Sequence, residues 1–194
     1  AMDELSSRDG PTCLIYRVNA GTIPADHWIR SEEGGGRILG EVCHFIDFAQ
    51  HVLASPFQRV FAQHLRGGDP RVERDNVQVQ LQCENGSAAT IVYVANGDRS
   101  MRKEHVELFR GGATVVIDDF HEGWLHASGK KSKARVASGK GHREEVEAFL
   151  EAVKTGSVDP ISFEELLHTT RTTFAVVDSL NSGLPVDPRQ IQEG

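Results

Sequence analysis

The sequence predicts an α+β domain, built on a large, open and mostly antiparallel β-sheet with helices packed on one face. Residues 76–83, NVQVQLQC, alternate strictly between apolar and polar side chains, as a strand with one buried face does. Turn signals, Asn85-Gly86 and Gly111-Gly112, separate such segments at hairpin spacing. From residue 141 onward the periodicity is helical. Since alternating strands leave one face for packing, we expect the helices to cover that face.

The elements follow one another in a simple order. A first strand at 12–19 places Leu14, Tyr16 and Val18 on one face, and a long loop leads to a helix that begins after the glycine triplet at 34–36. Further strands are predicted at 57–65, 76–83, 87–95, 104–109, 113–120 and 121–128. Two helices close the chain, within 141–156 and 162–183, and the second opens with a Ser162/Glu165 capping box. We expect the apolar faces of both helices to lie in the core.

The domain organisation is simple, because 194 residues with 39% apolar content suffice for one core. We interpret residues 1–11 as a tag remnant and linker, 12–186 as one α/β domain and 187–194 as a tail.

Composition excludes several classes of protein. A net charge of -7 opposes general nucleic-acid binding, which depends on neutralising phosphates, and no apolar run is long enough for a membrane span. The start, AMDELSSRDG, has no signal-peptide pattern, so we expect a cytoplasmic protein. Cys13, Cys43 and Cys83 are predicted to be reduced core thiols. The basic segment 129–143 is interpreted as a solvated hairpin or linker.

The helix that follows the glycine triplet carries Glu41, His44, Asp47 and His51 at steps of three, three and four, between two apolar flanks. Such a stripe is either a solvated edge or a catalytic face. An imidazole beside carboxylates suits proton transfer near neutral pH. We expect no metal site, because neither closing helix offers a matching ExxH pair.

Cofactor motifs are missing from the sequence. No strand leads through GxGxxG into a helix, and the chain has neither a P-loop nor a GxSxG sequence. We therefore expect no dinucleotide cradle within this chain.

Three segments together resemble the C-terminal domain of the Gfo/Idh/MocA oxidoreductases: GGGRILGEVCHFID, SGKGHREEVEAFLEAV and PISFEELLHTTRTTFAVVDSL. The resemblance spans roughly residues 12–183. Members of this family pair an N-terminal Rossmann domain, which binds NAD or NADP, with an α/β domain on an open antiparallel sheet. The resemblance implies that this chain is the substrate-binding and oligomerisation domain of a dehydrogenase for a sugar, cyclitol or related polyol. It also implies that the isolated chain is inactive without its own Rossmann domain.

The resemblance assigns roles to individual residues. His44 stands at the family's acid/base histidine, whereas Gly40 occupies the position where many members carry an acid. Glu41 either replaces that acid or the substrate contact differs, and Glu41 or Asp47 is expected to orient His44. The expected substrate-binding residues are Arg17, Asn19, His27, Trp28 and Asp47, and the expected cofactor-binding residues are Gly35 and Gly36. We assign His51 to structure.

Two further hypotheses remain. A non-catalytic module of the same fold, which binds a ligand or assembles through the sheet, is the alternative to an enzyme, and the altered Gly40/Glu41 pair favours it. Self-association through the solvated face of the sheet is expected in either case, because residues 76–82 line that face with glutamines and because family members pair such sheets.

Overall fold

The computed structural model describes residues 1–31, 33–67, 75–136 and 141–191, and its strands form one eight-stranded sheet. The strands are β1 Cys13–Asn19, β2 Phe57–His64, β3 Val77–Cys83, β4 Ala88–Val94, β5 Glu104–Arg110, β6 Ala113–Asp118, β7 Glu122–Ala127 and β8 Lys130–Ala134. Their order across the sheet is β2-β3-β4-β1-β5-β6-β7-β8. Every neighbouring pair is antiparallel except β1 and β4, which run parallel. The predicted open, mostly antiparallel sheet is confirmed.

The described chain also contains four α-helices. They are α1 Met2–Ser6, α2 Cys43–Leu53, α3 His142–Thr155 and α4 Phe163–Ser182, with short 3-10 helices at Trp28–Arg30 and Pro188–Gln190. A π-helical turn, Ile38–Val42, leads directly into α2. None of the helices in the described ranges combines the length and apolar character that a membrane crossing requires.

One face of the sheet forms the core with α2 and α4. Leu14, Tyr16 and Val18 of β1 are at most 2% exposed, as their alternation predicts. The Tyr16 ring meets Phe45 and Phe48 of α2 edge-to-face, with ring centroids 5.0 and 5.2 Å away. Its hydroxyl donates a hydrogen bond to Glu104, which pairs the buried phenol and fixes β1 against β5.

Helix α4 is attached to the sheet by polar contacts to β2. The backbone N–H of Ala62 donates to the hydroxyl of Ser179 at 2.9 Å, and that of Phe57 donates to Nε2 of His168 at 2.8 Å. The predicted capping box of Ser162 and Glu165 is present at the start of the helix. These bonds satisfy β2 donors that the partner strand does not reach, so α4 completes this side of the sheet.

The basic segment forms a hairpin, which is one of the two structures that the sequence predicted for it. In this hairpin β8, the last strand of the sheet, pairs with β7. Lys131 places its ammonium 4.7 Å from the centroid of the Trp124 ring. Lysines on an edge strand oppose pairing with further chains, which gives this basic cluster a structural purpose. Residues 137–140 of the segment lie outside the described ranges.

Some sequence interpretations need correction. The apolar face of α3 was expected in the core, but its side chains are exposed: Val146 57%, Phe149 56%, Leu150 48% and Val153 65%. Helical periodicity identifies an apolar face without saying what covers it, which explains this error. All three cysteines are free, yet only Cys83 is buried, because Cys13 lies on the open face of the sheet and Cys43 is half-buried.

The N-terminal segment, predicted as a tag remnant and linker, contains α1. Its Leu5 is 2% exposed and packs on the core cluster. The domain boundaries drawn from the sequence stay a prediction.

His168 should make the stability of the domain depend on pH. Burial lowers the pKa of its imidazole, so the protonated form is disfavoured in the folded state. Its stabilising contribution is therefore complete above its ordinary pKa of 6.5 and is lost as pH falls through the folded pKa. We expect the free energy of unfolding, measured in urea, to fall as the pH is lowered over that range. The fall should be smaller in His168→Gln, whose side chain is a neutral acceptor.

Two variants serve as controls for this measurement. His168→Leu removes the acceptor of the Phe57 N–H at every pH and should cost about 1–3 kcal/mol at neutral pH. Replacing the exposed His121 by Gln should leave the pH profile unchanged. An identical acid-side fall in wild type and His168→Gln would contradict the assignment.

Candidate functional site

The helix that carries His44 begins with an irregular turn. Residues 36–53 are helical throughout, but Ile38–Val42 form a π-helical turn before α2 becomes regular at Cys43. A π turn contains more residues than an α turn, so the predicted common stripe of Glu41 with His44 is not maintained across it. Such turns occur frequently at functional sites, which directs attention to this helix start.

Glu41 points into a polar cluster inside the domain. Arg37 Nε donates to one of its carboxylate oxygens at 3.2 Å, and the hydroxyl of Tyr93 donates to the other at 2.7 Å. The Arg37 side chain is 2% exposed and that of Glu41 26%. Burial, with the hydrogen bond to Glu41, raises the pKa of Tyr93 and keeps its phenol protonated as a donor. The Glu41 carboxylate is therefore occupied by Arg37 and Tyr93.

Two further charges complete this cluster. Arg37 donates to the backbone carbonyl of Gly21 at 2.7 Å and lies 3.9 Å from Asp75, whose side chain is 6% exposed. Arg30 pairs with the same aspartate at 2.5 Å. Two guanidinium groups thus face two carboxylates, which is the balance that buried charges require.

The sequence analysis missed most of this cluster. Arg37 stands four residues before Glu41, and this i,i+4 spacing was a signal that could have found the pair. Asp75 and Tyr93 come from distant parts of the chain, for which the sequence offers no comparable signal.

His44 is exposed on the regular part of the helix. Within the described ranges its ring makes no hydrogen bond or ion pair, so both ring nitrogens are open to a ligand from outside. Asp47 is half-buried and accepts a hydrogen bond from the hydroxyl of Thr169 at 3.3 Å, which links α2 to α4. His51, two turns after His44, is exposed.

Packing explains why position 40 carries a glycine. A Cβ at this position would lie 2.7 Å from Cδ1 and 3.1 Å from Cγ1 of Ile29, a side chain that is 5% exposed. The 3-10 helix Trp28–Arg30 therefore occupies the space that a side chain at position 40 would need. A carboxylate there could be accommodated only if Ile29 moved.

His27 and Trp28 lie on the segment that covers Gly40. Nδ1 of His27 accepts from the backbone N–H of Ile29 at 3.3 Å and caps the 3-10 helix, while the Trp28 side chain is 67% exposed. The structure thus brings these two predicted substrate residues to the start of the helix that bears His44.

Arg17 and Asn19 lie elsewhere. They alternate with Tyr16 and Val18 along β1, so they belong to the sheet face opposite α2. Arg17 donates to the carbonyl of Arg102 at 2.9 Å and Asn19 donates to that of Asp98 at 2.7 Å, so both hold the loop before β5. The structure does not bring them together with His44, and their contact with substrate stays a prediction.

Gly35 and Gly36 form a turn beside a cavity of about 540 Å³. Both have positive φ, 64° and 78°, and a Cβ on Gly36 would meet nothing within 4 Å. The cavity lies between this turn, the ends of β2 and β3 and helix α4, and Arg30, Arg37, Asp75 and His64 are among its lining residues. Neither His44 nor Glu41 lines it.

The described residues form a complete binding site for neither a dinucleotide nor a metal. The glycine turn at 34–36 precedes a helix, but it follows the 3-10 helix Trp28–Arg30 instead of a strand, so the described residues build no dinucleotide cradle. In the same ranges no three His, Cys, Asp or Glu side chains are placed to hold a metal ion.

Solved oxidoreductases share this fold. An aldose-aldose oxidoreductase from Caulobacter crescentus is 16% identical with a TM-score of 0.76, and 92% of this chain matches 56% of that one. An oxidoreductase from Agrobacterium radiobacter, solved with NAD+, L-tartaric acid and magnesium, is 12% identical with a TM-score of 0.73, and the match covers 97% of this chain and 60% of that one. A UDP-N-acetylglucosamine 3-dehydrogenase from Acidithiobacillus ferrooxidans is 13% identical with a TM-score of 0.74, at 92% and 56% coverage.

These matches define the class by its fold, which is the sheet architecture found in solved oxidoreductases, and the chain spans under two thirds of the length of those structures. Residues 14–108, just under half of the chain, match the family described as GFO/IDH/MocA C-terminal domain. The resemblance to this family is thus confirmed by a family match as well as by the fold. None of the curated proteins matches this chain.

Restoring an acid at position 40 should strain the helix start. We expect Gly40→Asp to lower the free energy of unfolding by about 1–3 kcal/mol, because its Cβ meets Ile29. In an Ile29→Ala background the same change should cost less, with a coupling of at least about 0.5 kcal/mol in a double-mutant cycle. Urea denaturation measures each value.

Gly67→Asp is the matched control, because among the described residues nothing lies within 4 Å of a Cβ on Gly67. It should be close to neutral. Additive effects of Gly40→Asp and Ile29→Ala would show that Ile29 does not restrict position 40.

Proposed function

We propose that this chain is the substrate-binding and catalytic C-terminal domain of a cytoplasmic NAD(P)-dependent dehydrogenase that acts on a sugar, cyclitol or related polyol. His44 is its acid/base. The observation that carries this proposal is an exposed imidazole, without a partner in the described chain, on a helix whose start is fixed by a buried charge cluster. The family match supports it, since by resemblance His44 stands at the position of the family's motif histidine.

The geometry suits proton transfer with an external group. An exposed histidine on a mobile surface would be unremarkable, but the start of this helix is held by Arg37, and its flank is packed by Phe45. A rigid support keeps the imidazole in place while a substrate hydroxyl approaches it, which is what an acid/base residue requires. The open ring nitrogens can each donate or accept, depending on the tautomer.

The reaction then divides between two groups. Nicotinamide, when bound, exchanges hydride with the carbon that carries the reacting hydroxyl. In the oxidising direction neutral His44 accepts the hydroxyl proton, and in the reducing direction the imidazolium returns it. Glu41 contributes by fixing the helix start through Arg37 and Tyr93 instead of by holding the imidazole tautomer.

Substrate and cofactor contacts complete the proposal. His27, Trp28 and Asp47 are the proposed substrate contacts near His44, and the exposed indole of Trp28 offers an apolar surface to a sugar ring. The cofactor would be held mainly by a Rossmann domain outside this chain. Gly35 and Gly36 are the proposed contacts from this side, since their turn presents backbone without side chains.

A non-catalytic module is the second candidate. It is favoured by Ile29, which fills the place where many family members carry a carboxylate, and by the cavity, which does not include His44. In that case the fold would bind a ligand or assemble without redox chemistry.

Replacing His44 separates the two candidates. In the protein that includes the Rossmann domain, His44→Ala should lower kcat by about 10²- to 10⁴-fold, the usual contribution of a positioned acid/base. Steady-state kinetics on polyols and sugars measure this effect.

His51→Ala is the matched control, because His51 is exposed on the same helix. It should leave kcat near the wild-type value, and neither variant should shift the melting temperature strongly. Near-normal turnover of His44→Ala would favour the non-catalytic module.

Self-association through the open face of the sheet is the proposed assembly. Facing positions in neighbouring strands form a continuous row across this surface: Phe61, Gln80, Thr90, Ile15, Glu107, Val116, Trp124 and Lys133. Ile15 and Phe109 are each 37% exposed near its centre. A face with apolar groups at its centre and amides and charges around them has the composition of an interface.

A charge at the centre of this face should prevent association. We expect static light scattering to give a multiple of the chain mass for the wild type and a single-chain mass for Phe109→Glu, because a second copy would have to desolvate the new carboxylate. Phe174→Glu is the matched control, because Phe174 is an exposed residue of α4, and this variant should associate normally. A wild type that stays monomeric at high micromolar concentration would exclude this assembly.

A further inference from the structure

A second cavity, of about 440 Å³, lies where the chain leaves β1. Its walls come from the end of β1 and the two residues after it, from the turn before β5, and from the turn between β6 and β7. The lining residues that carry the argument are Asn19, Gly21, Arg99, Arg102, Lys103 and Asp119. None of the described residues lines both this cavity and the one beside the glycine turn. Of the six, only Asn19 was predicted from the sequence to bind a ligand.

A buried side chain fixes the turn before β5. Asn19 is 7% exposed, and its Nδ2 donates to the carbonyl oxygens of Asp98 at 2.7 Å and of Met101 at 3.5 Å. The backbone N–H of Met101 closes the turn by donating to the Asp98 carbonyl at 3.2 Å. The basic side chains that follow therefore project from a backbone that is already ordered, which lowers the entropic cost of binding a ligand.

Three cations at this turn have no carboxylate partner in the described chain. Arg17 donates to the carbonyl oxygens of Arg102 and Lys103, at 2.9 and 3.4 Å. Arg99 donates to the carbonyl oxygen of Thr22 at 3.4 Å. Lys103 lines the cavity and forms no ion pair within the described residues. Carbonyl oxygens leave these positive charges uncompensated, so a carboxylate or phosphate would supply the missing counter-charge.

Arg102 differs from these three cations. It lines the same cavity, but its guanidinium pairs with Asp118 at 2.9 Å and with Glu122 at 3.2 Å. Its charge is compensated within the protein, so an anion gains less from Arg102 than from Arg99 or Lys103.

The turn between β6 and β7 gives the cavity an acceptor of fixed position. Asp119 and Phe120 have φ of 52° and 53°, a conformation that side chains other than glycine rarely adopt. The turn is held because Asp119 exchanges two hydrogen bonds with the Glu104 backbone, at 2.7 and 3.1 Å. Oδ2 of Asp119 lies 3.7 Å from Nδ1 of His121, beyond hydrogen-bond distance. This oxygen can accept a hydrogen bond from a hydroxyl group.

We propose that this cavity binds a small hydroxylated acid of about monosaccharide size. Its carboxylate or phosphate group meets Arg99 and Lys103, and a hydroxyl group donates to Asp119. A simple anion would be repelled by Asp119, and a neutral polyol would leave the cations uncompensated, so the lining favours a molecule that carries both groups. The volume lies within the range of about 300–1,000 Å³ that is usual for small-molecule sites. This binding requires neither His44 nor a cofactor.

Calorimetric titration of the chain with four probes tests the class of ligand. Gluconate and glucose 6-phosphate carry both an acid and hydroxyl groups, whereas glucose lacks the acid and inorganic phosphate lacks the hydroxyls. At least one of the two hydroxylated acids should bind about tenfold or more tightly than either glucose or inorganic phosphate. Tighter binding of gluconate identifies a carboxylate as the recognised group, and tighter binding of glucose 6-phosphate identifies a phosphate.

Variants of the cavity test which residues recognise the acid. Arg99→Gln and Lys103→Gln should each weaken binding of the preferred acid by about tenfold, because each removes one charged donor. Their melting temperatures without ligand should equal that of the wild type, since both side chains are exposed. Asp119→Asn keeps a residue type that tolerates positive φ, and it should reduce the preference for the hydroxylated acid over inorganic phosphate.

Lys130→Gln is the matched control, because Lys130 is exposed at the other end of β7 from this turn and the substitution changes the net charge equally. It should bind the acid as the wild type does. Equal weakening by Lys130→Gln and Lys103→Gln would show attraction by the whole surface and overturn the proposal.

Two other results also overturn it: millimolar acid that does not bind, or glucose that binds as tightly as the acids. His44→Ala should bind normally, so loss of binding in this variant would contradict the location of the site. A chain that binds the acid although His44 is dispensable for turnover would refute the proposed catalysis and leave this site intact.

Discussion

Arg37 lies almost completely out of solvent at the start of the helix that carries His44, and its charge must be met inside the protein. Its partners come from three places: the Gly21 carbonyl after β1, Glu41 one turn on, and Asp75 just before β3. Removing either carboxylate would leave an uncompensated buried charge. The loop, the helix start and the strand are therefore held in one arrangement, and the direction in which His44 leaves the helix follows from it.

The fold could be predicted well because its determinants are local. Alternation along NVQVQLQC and along β1 decides which side of each strand is buried, and the structure places Val79, Leu81 and Tyr16 in the core as this pattern requires. The capping box at Ser162 likewise reports a helix start from residues three positions apart. Such local patterns predict the structure correctly because residues that are neighbours in the sequence remain neighbours in the folded chain.

The rest of the site depended on contacts that sequence periodicity does not encode. The π turn changes the direction of the Glu41 side chain relative to that of His44, although nothing in the sequence ILGEV indicates such a turn. Tyr93 reaches Glu41 from a strand about fifty residues further along the chain. Arg17 and Asn19 precede the helix in the sequence, but they face the other side of the sheet. Periodicity also identified the apolar stripe of α3 correctly but could not show that it stays uncovered.

Two parts of this domain, His44 and the apolar side chains of α3, are exposed to solvent, and exposure has a physical consequence for each. An imidazole in bulk water exchanges protons with solvent as readily as with a substrate, so a catalytic His44 needs another surface to exclude water around it. The apolar side chains on α3 are limited by exposure for a different reason, since they gain stability only when covered. Exposure thus lets water compete at the imidazole, and it leaves the helix without the burial that stabilises a short helix.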